Sequence, residues 1–239
     1  MSALIMSKWN EIGFNRTMTY RLDSDFPIPY FEFKRRSAPL KQWKQKISAN
    51  KTKLAAWMVS NCRAFSGREN IAASLRELVP IDVYGKCGNL SCQLKTRELC
   101  YEALGRSYKF YLSFENALCT DYISEKLALA MKSEMVPVVF GGANYTKILP
   151  AKSYIDVRDF SSFYSLADYL KYLDSNATAY LEYFSWTEHF LLDTTNSFWI
   201  NQTVAGLRQL CLALRNRGQE RKTYDMPSWW FKGHCESGA

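Results

Sequence analysis

From residue 54 onward, short apolar or β-branched runs alternate with stretches whose apolar positions recur every three to four residues. The runs Leu54–Ser60, Pro80–Gly85, Tyr108–Glu115, Val136–Gly141 and Tyr154–Val157 predict strands, and Arg68–Leu78, Asp121–Lys132 and Ser162–Leu173 predict helices. Strands separated by helices of this length imply βαβ units, because parallel neighbours need a crossover and the crossover helix must cover the sheet. The fold class is therefore α/β, a Rossmann-like parallel sheet with helices on both faces. Ligands of such sheets lie at the carboxyl ends of the strands, beside helix N-termini. The residues that follow each strand are the ones to inspect for chemistry.

The pattern divides the chain into four parts: residues 1–33, 34–53, 54–190 and 191–239. Residues 1–33 hold Asn15-Arg-Thr-Met-Thr-Tyr-Arg-Leu-Asp-Ser-Asp25 and then Pro27-Ile-Pro29-Tyr30, with a strand that has no sheet of its own. After Phe184 the chain turns helical again, from about Phe198 to Arg217, and closes in an aromatic tail with Trp229 and Trp230.

Composition agrees with a folded chain: 47% of the 239 residues are hydrophobic, and 15 Tyr, 14 Phe and 7 Trp can fill a sizeable core. No apolar run approaches the ~18–20 residues of a membrane-crossing helix. Met-Ser-Ala-Leu-Ile-Met-Ser-Lys does not read as a signal peptide. The net charge of +8 is concentrated between Phe33 and Arg68, which hold ten basic residues and no acidic one and leave 21 basic against 23 acidic elsewhere. A single-stranded nucleic-acid platform would interleave its cations with stacking aromatics. Lys34–Lys53 has one Trp among Ser, Ala, Pro and Gln, so it reads as a solvated basic linker, and no nucleic-acid partner is expected.

Six Asn-x-Ser/Thr sequons stand at Asn15, Asn50, Asn89, Asn144, Asn176 and Asn201, against about one or two by chance pairing. Seven cysteines stand at positions 62, 87, 92, 100, 119, 211 and 235. Together they point to an oxidising, glycosylating compartment, in which the cluster Cys62–Cys119 is expected to be largely disulfide-bonded. Seven is odd, so at least one thiol has no intrachain partner. An exported chain without an export signal suggests a missing N-terminus.

The densest chemistry is Tyr108-Lys-Phe-Tyr-Leu-Ser-Phe-Glu115-Asn116, a spacer with Cys119 and Asp121, then Tyr122-Ile-Ser-Glu125-Lys126. A buried strand delivers a carboxylate and an amide at its end, and the next helix presents Tyr122, Glu125 and Lys126 near its start. A helix N-terminus favours anions, and a lysine there suits a phosphate. The glutamate beside it suits the two hydroxyls of a ribose. Ordinary helix-surface charge is the alternative reading of the same pair. Asp23-Ser-Asp25 has the form of a metal-binding triplet, but a turn between a strand and the Pro-rich exit accounts for it better. His189 and His234 lie in no metal-ligand spacing, and no metal site is expected.

Tyr108–Lys126 closely resembles the donor-binding block of the α1,3-fucosyltransferases. The resemblance continues through Val59-Ser60-Asn61-Cys62 with Gly67-Arg68, Val83-Tyr84-Gly85 with Cys87-Gly-Asn-x-x-Cys92, Val136-Pro137-Val138-Val139 with Gly141, and Asp159-Phe160. Upstream, Asn15–Asp25 with Pro29-Tyr30 matches the block preceding the donor domain. The spacing of Cys87, Cys92, Cys100 and Cys119 is most similar to the branch that fucosylates the N-glycan core. Where that branch carries Cys-x-x-Cys in its C-terminal helix, this chain has Arg208-Gln-Leu-Cys211, so the unpaired thiol is expected at Cys211 or Cys235.

The resemblance implies the C-terminal half of a GT-B glycosyltransferase. In it, 1–33 is a remnant of the N-terminal acceptor domain, 34–53 a basic linker, 54–190 the GDP-fucose-binding domain and 191–239 a C-terminal helix and aromatic tail. It implies inverting transfer of fucose from GDP-fucose to a glycan in α1,3 linkage, with an N-glycan of a glycoprotein as acceptor, and requires no cofactor. By motif position Arg68 and Lys126 hold the pyrophosphate, Glu125 the ribose, and Asn116 and Tyr122 line the donor pocket. The family's catalytic base is expected upstream of this chain. The expected setting is the Golgi lumen, with membrane attachment through an anchor absent from this chain. A non-catalytic GDP-sugar- or glycan-binding remnant is the alternative.

Overall fold

The structure is a computed structural model and describes residues 13–47, 51–194, 196–215, 223–230 and 235–236. In chain order, β1 (Glu32–Arg35) and the short α1 (Trp43–Lys46) precede β2 (Lys53–Met58), α2 (Arg68–Arg76), β3 (Ile81–Tyr84), α3 (Arg97–Gly105) and β4 (Tyr108–Phe114). Then follow β5 (Leu118–Cys119), α4 (Glu125–Lys132), β6 (Val136–Phe140), α5 (Tyr145–Ile148), β7 (Ile155–Asp156), α6 (Phe163–Ser175) and α7 (Ala177–Glu182). The chain ends with β8 (Phe190–Asp193), α8 (Asn196–Arg215), α9 (Met226–Trp230) and β9 (Cys235–Glu236).

Five strands form one sheet in the order β3-β2-β4-β6-β7, every pair parallel. All seven residues of β4 are buried, as the centre of a two-faced sheet requires. On one face α2 and α6 pack over Trp57, Phe110, Leu112 and Val138. On the other, α3 and α4 cover Ala56, Tyr111 and Met135. The first two strands of the sheet run outward in one direction and the next three in the other. The switch point therefore falls between β2 and β4, where doubly wound sheets bind nucleotides.

β1 pairs antiparallel with β8, Glu32 opposite Asp193 and Arg35 opposite Phe190, so a strand that straddles the expected 33/34 boundary finds its partner more than 150 residues on. Two residues of the stretch expected as a solvated linker are buried instead: Trp43 at 7% exposure and Lys51 at 5%. The Lys51 ammonium donates to the Glu134 carbonyl, and burial pulls its pKa down to about 8. Among the described residues, no helix is long and apolar enough to cross a membrane.

Three disulfides brace the fold: Cys62–Cys87, Cys92–Cys100 and Cys119–Cys235. The last ties β5 to β9, whose residues pair as antiparallel neighbours. Of the two positions expected for the unpaired thiol, Cys235 is thus bonded, and Cys211 is the free one, exposed on α8.

Candidate functional site: a charged cavity at the switch point

β4 runs straight into Glu115, which is 1% exposed. Its carboxylate accepts from the Ser124 amide at 2.7 Å, from the Ser124 hydroxyl at 2.8 Å, and from the Lys126 ammonium at 3.2 Å. Ser124 is the N-cap of α4 and makes no cap bond of its own. The Glu115 carboxylate takes that role, and its charge sits where the helix dipole favours an anion. Gly141 makes room for this arrangement, since a Cβ there would lie 2.6 Å from the Tyr145 hydroxyl and 3.2 Å from Glu115 Cγ. One Lys126 donor is thereby used on Glu115 and another on Ser124 Oγ at 2.7 Å, and the ammonium is held at the start of α4.

Across the switch point, Arg68 opens α2 behind Gly67, whose φ of 67° is left-handed and suits glycine. Arg68 is 2% exposed. It donates from Nη1 to the Phe114 carbonyl at 2.7 Å and from Nη2 to the Asn61 carbonyl at 3.1 Å. Its one close carboxylate is Glu69, 3.5 Å from Nε. Two neutral carbonyls, one from the end of β4 and one from the loop after β2, thus fix the direction of the guanidinium.

These groups share a cavity of about 290 Å³ lined by Arg68, Asn116, Glu125 and Lys126, together with Ser60, Asn61, Arg97 and Tyr101. Two buried polar atoms on its wall, Asn116 Oδ1 and Arg68 Nε, have no hydrogen-bond partner, which a polar ligand would supply. Four of the five residues expected to bind the donor thus meet in one cavity. Tyr122 does not line it. The helix expected from Asp121 begins at Glu125, because Asp121 takes a left-handed φ of 60°. Tyr122 therefore sits in a turn before α4, with its ring 5.2 Å from that of Tyr20 and 6.3 Å from that of Tyr30. Burial, reinforced by the nearby Glu115 charge, raises its phenol pKa.

Arg97 is the cavity residue that the sequence did not disclose. Its guanidinium donates to Glu125, the carboxylate assigned to ribose from the motif. The available signal was Thr96, an N-cap residue ahead of Cys100, Tyr101 and Leu104, which the structure uses as a cap by accepting from Leu99 N at 3.3 Å.

The Asp-x-Asp block is built differently. Asp23 receives Arg21 in a fork, from Nε at 2.8 Å and Nη2 at 2.6 Å, and that contact holds its carboxyl below the usual range. Asp25 accepts from the Thr17 amide at 2.8 Å and the Tyr224 hydroxyl at 2.8 Å. Arg21 also donates to the Trp229 carbonyl and lies 4.1 Å from the Trp229 ring centroid. The block fastens the C-terminal tail to the N-terminal segment. Of the sequons, Asn15, Asn89 and Asn144 are exposed, and Asn176 caps α7 by accepting from Ala179 N at 3.0 Å. Asn50 and the side chain of Asn201 lie outside the described residues.

Fold and site together define a doubly wound α/β module with a cavity at its switch point and cations on both sides of it. The chain belongs to glycosyltransferase family 10 (fucosyltransferase), whose C-terminal family model matches residues 48–230. It is 38% identical to the Drosophila melanogaster protein named Alpha-(1,3)-fucosyltransferase C, over 93% of this chain and 55% of that one. It is 39% identical to the Drosophila melanogaster Glycoprotein 3-alpha-L-fucosyltransferase A, over 90% of this chain and 43% of that one. The fold is similar to a crystal structure of an α1,3-fucosyltransferase with GDP, at a TM-score of 0.56 and 27% identity, over 72% of this chain and 50% of that one. The chain spans about half the length of the relatives it matches.

Proposed function

We propose that this chain is the donor-binding half of an inverting α1,3-fucosyltransferase that moves fucose from GDP-fucose to a glycan, with an N-glycan of a glycoprotein as acceptor. The observation that carries the reading is the pair of cations, Arg68 and Lys126, on one cavity at the switch point. In this reading they hold the diphosphate, Glu125 takes the ribose hydroxyls, Asn116 donates or accepts at the cavity wall, and Tyr122 flanks the sugar end from its turn before α4. When GDP leaves an oxocarbenium-like fucose, negative charge grows on the bridging phosphate oxygen, and preorganised cations lower the energy of that state. In this reading the two cations are assigned that task, and no metal is invoked.

The base that removes the acceptor hydroxyl proton is not assigned to this cavity. Glu115 is enclosed by Ser124 and Lys126, and Glu125 is paired with Arg97 and assigned to the ribose, so neither is left to serve an acceptor hydroxyl. Residues 1–239 are therefore expected to bind donor but to transfer fucose at no appreciable rate without a carboxylate from another part of the enzyme. The six sequons, the three disulfides and the family favour the secretory pathway, with the Golgi lumen as the working site and glycans on several sequons. Calorimetry of GDP binding in the presence of a chelator tests the donor site directly. Binding is expected, and a folded chain that fails to bind GDP would overturn the reading.

A further inference from the structure

Arg97 is held in place more firmly than its 58% exposed side chain suggests. It is the first residue of α3, directly behind the N-cap Thr96, and the Cys92–Cys100 disulfide closes the loop that delivers it. Nη1 donates to Glu125 Oε1, and among the described residues the guanidinium makes no other hydrogen bond. Most of its five N–H donors remain for a ligand, in a fork whose orientation the Glu125 carboxylate fixes. A lysine in this place would offer a point charge without that planar edge.

The order of groups along the wall suggests what the fork meets. Lys126 is joined to Glu115 at the foot of β4, Glu125 precedes it in the first turn of α4, and Arg97 stands beyond Glu125 on the neighbouring helix. A nucleoside diphosphate presents diphosphate, ribose and base in that sequence. If Lys126 takes the diphosphate and Glu125 the ribose, the base falls at Arg97, with Tyr101, one turn further along α3, and Met58 also on the wall. We infer that Arg97 is the residue that selects the donor's base, its guanidinium donating to the adjacent O6 and N7 acceptors of a 6-oxopurine. This rests on the donor-site reading above. Guanine and hypoxanthine offer that acceptor pair, whereas adenine replaces the oxygen with an amino donor that an arginine repels.

The test is calorimetry of GDP, inosine diphosphate and ADP on the parent chain and on Arg97→Ala and Arg97→Lys, with thermal melts to confirm folding. Arg97→Ala should weaken GDP and inosine diphosphate alike, by roughly ten- to a hundredfold, and leave ADP no weaker than on the parent chain, so that base discrimination collapses. Arg97→Lys should keep part of the affinity and lose most of the discrimination. Equal weakening of GDP and ADP in Arg97→Ala would place the cation on the ribose or phosphate instead and overturn the inference, as would unchanged GDP affinity. Failure of the parent chain to bind GDP would be recognisably different, since the donor-site reading itself would fall.

Discussion

Two charged blocks in this chain look alike as sequence and behave as opposites in three dimensions. Around Arg21, Asp23 and Asp25, every charge is answered locally: a forked arginine on one carboxylate, an amide and two hydroxyls on the other, and a tail carbonyl and an indole ring for the cation. Around Arg68, Lys126, Glu125 and Arg97, the charges are held but not used up. Carbonyls position Arg68, its own Nε and the neighbouring Asn116 Oδ1 lack a hydrogen-bond partner, and a cavity lies between the groups. A closed set of partners makes a fastening, and an open set facing a void makes a binding site. Acidic spacing alone does not distinguish the two. What distinguishes them is whether the protein itself supplies the last hydrogen bonds.

Removing the fastening should produce the largest effect and should not touch binding. Arg21→Ala loses the bond to the Trp229 carbonyl and the contact with its ring from a side chain only 3% exposed. The ion pair adds less, because Asp23 is 53% exposed and solvent screens it. A destabilisation of about 3–4 kcal/mol is expected, with GDP affinity per folded molecule unchanged. Chemical denaturation alongside calorimetry checks both. A weakened GDP site in a folded Arg21→Ala chain would erase the contrast drawn here.

Lys51 is a third kind of buried cation, with neither a fork nor a cavity. Its pKa of about 8 lies below the ordinary value of 10.5 because burial disfavours the ammonium. Between those values the unfolded chain binds more protons than the folded one, so stability rises with pH across that window. Below it, the full desolvation cost is present. That cost is at most about 3 kcal/mol. Lys51→Met should abolish the rise, and the difference between mutant and parent denaturation curves from pH 7 to 10.5 isolates it from the tyrosines. A flat difference would mean that Lys51 is solvated in the native state.

At the cavity, Lys126→Ala should weaken GDP by about 1.5–3 kcal/mol, the range of a charge-assisted contact. Its cost in stability should be smaller, because Glu115 keeps its bonds from Ser124. Calorimetry and thermal melting separate the two readouts. Loss of folding with unchanged affinity in the folded fraction would turn Lys126 into a second fastening.

The sheet was legible because its central strands are buried on both faces, so that Tyr108–Phe114, interrupted only by Lys109 and Ser113, and Val136–Phe140 read as apolar runs without alternation. The alternation of strand and helix pointed to the carboxyl ends of the strands, and only the strand order placed the switch point between β2 and β4. Helix α3 was not legible, since Cys92 and Cys100 drew attention as a disulfide candidate and hid the cap at Thr96 and the spacing of Cys100, Tyr101 and Leu104. Missing α3 meant missing Arg97, because its pairing with Glu125 spans 28 residues and leaves no trace in either local pattern. Tyr122 was misplaced for the opposite reason. A left-handed Asp121 delays the helix by one turn, and nothing in Asp121-Tyr-Ile-Ser announces that break. Lys51 was assigned to solvent from the charge of its neighbours, while burial is decided by the turn around Glu134 that closes over it.

The smallest expected effect tests the finest part of the assignment. Glu125 carries two duties in this reading, orienting Arg97 and accepting from the ribose, and the geometry shows only the first. Glu125→Gln keeps the shape and one acceptor oxygen but loses the charge, so GDP should weaken by about 0.5–1.5 kcal/mol, less than for Lys126→Ala. Affinity alone cannot separate the two duties, and a deoxy nucleotide can. If Glu125 holds the ribose, deoxyguanosine diphosphate should bind the parent more weakly than GDP does, and Glu125→Gln should reduce that difference, because the missing hydroxyl has already removed the bond. If Glu125 acts only through Arg97, both nucleotides should weaken by the same factor in Glu125→Gln, and the effect should vanish in an Arg97→Ala background, where there is nothing left to orient. The first outcome keeps Glu125 as the open counterpart of Asp23, a carboxylate with capacity reserved for a ligand. The second makes it a fastening inside the binding site.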